Sequence, residues 1–199
     1  MRRWLVPAGC VLVAVAVCGL PFAYKADRSV TYRNLRVVEP GVLYRSGQLT
    51  PDGFERVFRE YGIRTVVTLR DTNRDQDDVA EAALCRELGI TQVRLPAADW
   101  IPDADGASAG DRNMNQFIRL LADPTTRYPI LVHCFAGIHR TGPYCAVYRM
   151  EKQGWTPDEA VAELWAMGTV RTTFSDDLLA YLKGYRSGRL RAAAAGSGP

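Results

Sequence analysis

Tyr128-Pro129-Ile130-Leu131-Val132-His133-Cys134-Phe135-Ala136-Gly137-Ile138-His139-Arg140-Thr141-Gly142-Pro143-Tyr144-Cys145-Ala146-Val147-Tyr148-Arg149-Met150 reads as three pieces in order. Ile130 to Val132 is apolar and β-branched at both ends, as a buried strand is. Cys134 to Arg140 is a short loop, with the arginine six positions after the cysteine. Thr141 onward reads as a helix. A loop at a helix N-terminus turns backbone N–H groups inward and forms a nest for an anion. A cysteine on the rim of such a nest sits in positive potential, so its thiol ionises more easily. An arginine closing the loop offers a planar fork for two phosphate oxygens. Nest, thiolate and fork together suit attack on a phosphate ester.

Outward from this stretch, the rest of the chain alternates strands and helices. Val42 to Arg45 reads as a strand, with Ser46-Gly47 as a turn. Thr50 caps a helix with Pro51 at its first position, and Phe54, Val57, Phe58 and Tyr61 share one face until Gly62 ends it. Ile63 to Leu69 and Ile90 to Leu95 read as strands, separated by a helix from Asp78 to Leu88 that Gly89 stops. Pro96 to Gly110 is a long loop, and loops of that length inside a domain usually serve function or are disordered. Asp111 is expected to cap the next helix, whose Met114, Phe117, Ile118 and Leu121 lie on one face. Thr156-Pro157-Asp158-Glu159 is a capping box, and Ser175 opens what reads as the last helix. The expectation is an α/β fold with a mostly parallel central sheet flanked by helices. Ligands bind such sheets beyond the carboxyl ends of the strands, where the long loop and the cysteine loop would share one site.

At 199 residues, with 47% hydrophobic and 24% charged, the chain is long enough for one domain with a real core. A net charge of +3 without a basic stripe argues against nucleic acid as a partner. Five cysteines show no CxxC pair and no zinc-like spacing, and Cys85 and Cys145 read as small buried hydrophobes. Residues 1–26 read as a membrane anchor or signal segment. Arg2 and Arg3 precede an uncharged run from Trp4 to Tyr24, and at about 1.5 Å per helical residue that run can cross a bilayer. The cleavage signal is poor, which favours an uncleaved single-pass anchor. Lys25, Arg28, Arg33 and Arg36 on the far side leave the orientation open. Residues 27–186 form the expected catalytic domain, with 25–40 as a linker into its first extended segment. Residues 187–199 read as a frayed tail.

The segment His133-Cys134-x5-Arg140-Thr141, with Gly137 inside it, resembles the signature of cysteine-dependent phosphatases. Val42 to Gln48 followed by Gly62 to Arg70 resembles the opening of the dual-specificity, tyrosine-phosphatase-like branch. The resemblance spans roughly residues 33–185. It implies a dual-specificity-phosphatase-like fold, here with an N-terminal transmembrane helix, and a metal-free hydrolysis that needs no cofactor. Cys134 would attack phosphorus and form a phosphocysteine. Arg140 and the N–H groups of Phe135, Ala136, Gly137, Ile138 and His139 would hold the oxygens. Thr141 would place a hydroxyl near the sulfur, and His133 would brace the loop through hydrogen bonds and lower the thiol pKa. The resemblance also implies an aspartate general acid on the loop after the preceding strand. Asp99 is the choice, thirty-five residues before the cysteine, with Asp103 and Asp105 as rivals and Asp111 a distant fourth.

Arg45 and Arg70 are expected to pair with acidic residues under the loop, and Trp100 to pack as a loop anchor. Relatives acting on inositol phosphates often carry lysines where this chain has Phe135, Ala136 and Ile138. The apolar rim favours a phosphorylated protein or a singly phosphorylated small molecule as substrate. The alternative is a membrane-tethered phosphate-binding module without turnover. The oligomeric state and the membrane side of the domain stay open.

Overall fold

The computed structural model describes residues 32–71, 76–169 and 175–196. Five strands form one sheet: β1 (Arg36–Glu39), β2 (Leu43–Ser46), β3 (Thr65–Thr68), β4 (Thr91–Arg94) and β5 (Ile130–His133), in the order β1-β2-β5-β3-β4. Only β1 runs antiparallel, so the sheet is mostly parallel as expected. The strand carrying the cysteine loop is central, flanked by β2 and β3.

Seven helices cover the sheet among the described residues: α1 (Pro51–Glu60), α2 (Gln76–Glu87), α3 (Ala109–Ala122), α4 (Thr141–Lys152), α5 (Pro157–Ala166), α6 (Asp176–Gly184) and α7 (Arg189–Gly196). Alternation along each strand sends side chains to opposite faces. Leu43, Val67, Ile130 and Val132 join a core under α3 to α7. Tyr44, Val66 and Leu131 join a second core under α1 and α2, with Phe54, Val57, Phe58 and Cys85. Each face buries its own apolar stripe, which makes this a three-layer molecule.

Several boundaries differ from the sequence reading. Residues 36–39, placed in a linker, form β1. Its Glu39 accepts from Tyr148 Oη at 2.8 Å and Gln153 Nε2 at 2.9 Å, which ties the edge strand to α4. Helix α3 starts earlier than Asp111, because the Ser108 hydroxyl accepts from the Asp111 N–H at 2.9 Å and is the cap. The frayed tail expected from residue 187 on is corrected over its described part: Arg189–Gly196 is helical and buries Leu190 against the core, while residues 197–199 lie outside the described residues. The Glu151 carboxylate of α4 supplies the cap of α7. It accepts from the N–H groups of Gly188 at 3.0 Å, Arg189 at 3.1 Å and Leu190 at 3.3 Å. A carboxylate there also complements the positive end of the helix.

The anchor expected over residues 1–26 lies outside the described residues. Among the described ones no helix is long and apolar enough to cross a membrane.

Candidate active site

Strand β5 delivers Cys134 to the carboxyl edge of the sheet, and α4 begins at Thr141. Between them three successive loop carbonyls are taken from outside. The Gln48 N–H donates to Phe135 O at 2.9 Å, Asn34 Nδ2 to Ala136 O at 2.8 Å, and buried Arg45 Nη2 to Gly137 O at 2.8 Å. In a trans peptide the following N–H points opposite to the carbonyl. The N–H groups of Ala136, Gly137 and Ile138 are therefore turned to the inner side of the loop. The Gly137 N–H donates to Cys134 Sγ at 3.2 Å, which places the sulfur on that side.

Gly137 is required by this geometry. Its φ is +73°, and a Cβ there would collide with the backbone of Ser46 and Gly47.

The helix behind the loop is also left open. The hydroxyls of Thr50, Ser108, Thr156 and Ser175 cap α1, α3, α5 and α6. Helix α4 has no side-chain cap and no acidic residue in its first turn. Its first N–H groups and its positive dipole end are available to an anion. Cys134 is 3% exposed. The Thr141 hydroxyl is buried without a hydrogen-bond partner in the structure.

Two expectations about the loop's supports are corrected. Among the described residues Arg45 pairs with no acid; its Nη2 holds a main-chain carbonyl, because Gly137 O is the acceptor that the loop turns toward it. The expectation for Arg70 is not among these two; its Nη1 donates to Gln48 Oε1 at 3.0 Å. His133 does not brace the loop either. Its side chain points to the α1 and α2 face, where Nε2 lies 3.2 Å from Glu81 Oε1. Strand alternation forces this, since Leu131 lies on the same face.

Arg140 extends past the loop. Its Nη2 is 3.3 Å from Asp71 Oδ2, and Nη1 donates weakly to Leu69 O at 3.4 Å. The other Asp71 oxygen accepts from the Ala97 N–H at 3.2 Å, so one carboxylate joins Arg140 to the long loop. A cavity of about 280 Å³ opens beside them. Its walls include Leu69, Leu95, Pro143, Tyr144 and Leu178, with His139, Arg140, Asp99 and Asp177 as charged or titratable members.

The four aspartate candidates separate in space. Asp99 lines the cavity that Arg140 also lines. Its carbonyl accepts from the Gly110 N–H at 2.8 Å, and Trp100 beside it packs against Tyr181 in a tilted arrangement with ring centroids 4.6 Å apart. Trp100 is thus the loop anchor expected of it. Gly110 permits that anchor, since a Cβ there would meet the indole at 2.6 Å. Asp103 and Asp105 are absent from the cavity wall and turn to Arg112, at 2.8 Å and 3.8 Å. The Asp103 carboxyl is held below its usual range, first by a hydrogen bond within the pair with Asp105 and then by Arg112. Asp111 pairs with Arg189 at 2.6 Å.

Asn34, Asp71, Glu81 and Asp177 were not read as site residues from the sequence. Nothing local marks them, because each acquires its position through a strand or loop distant in the chain. Cys85 and Cys145 are buried, and burial pushes the Cys85 thiol up to about 12.

The dual specificity protein phosphatase TpbA of Pseudomonas aeruginosa is 33% identical over 176 residues, 87% of this chain and 71% of that protein. The tyrosine-protein phosphatase-like protein OCA2 of Saccharomyces cerevisiae is 25% identical over 114 residues, and the match covers about half of it (54%). Among solved structures, the S. cerevisiae Siw14 catalytic core superposes with a TM-score of 0.65 at 17% identity, covering 83% of this chain and 92% of that one. A cysteine-to-serine variant of P. aeruginosa TpbA in complex with pTyr gives 0.62 at 24% identity, with coverages of 83% and 92%. Both structures support the α/β fold. Residues 28–176 match the family described as "DSP-PTPase phosphatase fused to NAD+ Kinase". The chain belongs to this family of dual-specificity and tyrosine-phosphatase-like domains.

Proposed function

We propose that this protein hydrolyses phosphate monoesters through a phosphocysteine on Cys134. The observation that carries the reading is the set of three loop carbonyls bound from outside by Gln48, Asn34 and Arg45. That set leaves an inward nest of N–H groups around the cysteine sulfur, in front of an uncapped helix.

In the first step the Cys134 thiolate attacks phosphorus in line. The S–P bond forms as the ester P–O bond breaks, and Asp99 gives its proton to the leaving oxygen. Arg140 and the loop N–H groups hold the three equatorial oxygens, where transition-state charge is spread. In the second step water attacks phosphorus, Asp99 takes a water proton, and the S–P bond breaks. The Thr141 hydroxyl is the donor that assists the departing sulfur. His139 forms part of the wall facing the leaving group.

The apolar walls contributed by Leu69, Leu95, Pro143, Tyr144 and Leu178 favour an apolar or aromatic leaving group. The absence of lysines from Phe135 to His139 argues in the same direction. TpbA has been solved in complex with pTyr, and by analogy a phosphotyrosine, phosphoserine or phosphothreonine protein or a small monophosphate is the substrate class. We further propose that residues 1–26 tether the domain to a membrane, on the support of the uncharged run Trp4 to Tyr24.

The test is p-nitrophenyl phosphate hydrolysis by the 199-residue chain beside its Cys134→Ser variant, with a reductant and a metal chelator present. Turnover that resists the chelator and is lost in the variant supports the reading. A folded chain that binds vanadate without turnover overturns it in favour of the silent binding module.

A further inference from the structure

We propose that Arg33 is a specificity-determining residue. It presents a cation at the Phe135 end of the cysteine loop and takes an acidic side chain next to the phosphorylated residue of a protein substrate. This role rests on the reading of the loop as a phosphate-ester site and narrows the substrate class within it.

Residues 32–35 form a turn, closed by the Leu35 N–H donating to the Tyr32 carbonyl at 2.9 Å. Both ends of the turn are anchored away from the loop. Tyr32 and Leu35 pack on the core under α1 and α2, and Tyr32 Oη donates to Glu60 Oε2 at 3.3 Å. The two middle residues meet the loop. Asn34 has left-handed backbone, with a φ of +49°, which asparagine adopts more readily than most residues. Its Nδ2 donates to the Ala136 carbonyl. The Arg33 carbonyl accepts from the Gly47 N–H at 2.7 Å. The aliphatic stem of Arg33 lies over Gly47, where a Cβ would meet Cγ and Cδ at 2.9 Å. Beyond the stem, Cζ stands 4.3 Å from the centre of the Phe135 ring.

The guanidinium is held in place, yet its charge is not matched. Arg59, Arg94, Arg112, Arg149 and Arg189 each pair with a carboxylate. Among the described residues Arg33 pairs with none. Residues 46–51 and 135–141, the two segments it lies against, contain no aspartate or glutamate. Stacking on a ring engages the face of a guanidinium and leaves its N–H edge free, and that edge is the fork that fits a carboxylate. The ring also holds the fork in position, so less freedom is lost when an anion binds. Phe135 is 56% exposed, so the pair stands at the surface, one residue from Cys134.

The cysteine loop therefore has two different ends. His139 and Arg140 border the cavity that receives the leaving group, and neither Arg33 nor Phe135 belongs to its wall. A small leaving group occupies the cavity alone. A peptide continues past it, and the residues one or two places from the phosphorylated one are displaced by about 3–7 Å along an extended chain. An aspartate or glutamate there meets the Arg33 fork while the phosphate occupies the nest. The loop's own sequence has no lysine to announce this charge, because the cation arrives from a turn far upstream.

Binding is measured in the full chain carrying Cys134→Ser, which keeps the loop and forms no phosphocysteine. Two fluorescent phosphotyrosine peptides are titrated, one with glutamates flanking the phosphotyrosine and one with glutamines in those places. The acidic peptide is expected to bind about threefold to tenfold tighter at low salt, and the difference should shrink as salt is raised. Adding Arg33→Gln should bring the two affinities together. Adding Arg33→Glu instead should make a peptide flanked by lysines bind better than the acidic one. Equal affinities in the Cys134→Ser chain, or a preference that survives Arg33→Gln, overturn the role of Arg33. A small aromatic bisphosphate that shows the same Arg33-dependent gain over its monophosphate overturns the choice of a protein substrate. These readouts are affinities, so p-nitrophenyl phosphate turnover by the wild-type chain decides the phosphatase reading separately.

Discussion

Arg45 Nη2 and the Gly137 carbonyl, 92 positions apart in sequence, meet at 2.8 Å beneath the cysteine loop. Arg45 is 2% exposed and comes from the strand beside β5. It fixes the loop from the α4 side, and turning that carbonyl outward sends the next N–H inward. Arg45→Met removes the donor and leaves a buried carbonyl unsatisfied, which costs about 1–3 kcal/mol. Thermal unfolding is expected to reveal that loss, and vanadate titration an affinity at least about tenfold weaker. A folded Met variant with wild-type vanadate affinity would remove Arg45 from the loop's architecture.

Gly137→Ala places a Cβ against the Ser46 and Gly47 backbone at a φ of +73°. The strained backbone alone costs about 1–3 kcal/mol, and the collision displaces the loop from β2. Urea unfolding monitored by circular dichroism should record the destabilisation, together with loss of p-nitrophenyl phosphate hydrolysis. Full activity in Gly137→Ala would contradict the close approach of loop and strand.

Asp99→Ala is expected to slow hydrolysis by about a hundredfold to ten-thousandfold with phenyl phosphate, whose leaving oxygen needs the proton. The loss should be smaller with p-nitrophenyl phosphate. Asp105→Ala, which removes contacts to Asp103, to the Ala107 N–H and to the exposed Arg112 away from the cavity wall, should stay near the wild type. The reverse pattern across the two substrates would transfer the acid role to Asp105.

Acid should weaken the hold of β1 on α4. The Gln153 amide, then the Tyr148 hydroxyl, draw the Glu39 carboxyl below its ordinary value of 4.5. A carboxylate depressed in the folded state stabilises above its unfolded pKa, and that contribution fades as pH falls through the folded one. Stability should therefore decline below about pH 4.5, by more in the wild type than in Glu39→Gln. Parallel pH profiles for the two proteins in urea titrations would deny Glu39 this role.

Truncation after Arg186 removes α7 and the burial of Leu190, worth about 1.5–3 kcal/mol. The shortened chain should unfold at lower urea concentration. Glu151→Gln, which keeps the shape of the cap and removes its charge, should give part of the same loss. Equal midpoints for the full and truncated chains would restore the view of this segment as a tail.

Elements whose instructions are local were legible in the sequence. Thr50 with Pro51 and Thr156 with Glu159 place their own helix starts, because the capping hydroxyl and its N–H lie three residues apart. The apolar run into Cys134 and the loop behind it were read in their observed places, and so was the shared face of Met114, Phe117, Ile118 and Leu121. Helix α7 escaped this reading because its cap is Glu151, 37 residues upstream of Gly188. The start of α3 was misread by competition between two capping residues three positions apart, of which Ser108 holds the extended backbone a cap requires.

The sequence by itself determined an α/β domain with a cysteine and an arginine on one loop between a buried strand and a helix. Periodicity, caps and loop length act within a few residues, so they need no knowledge of the fold. Only the tertiary structure decided that Asp99 shares a cavity with Arg140 while Asp103 and Asp105 turn to Arg112. It alone decided that Arg45 supports Gly137, and that His133 meets Glu81. Those partners come from separate strands and helices. The order of strands across the sheet, with β5 between β2 and β3, brings them together.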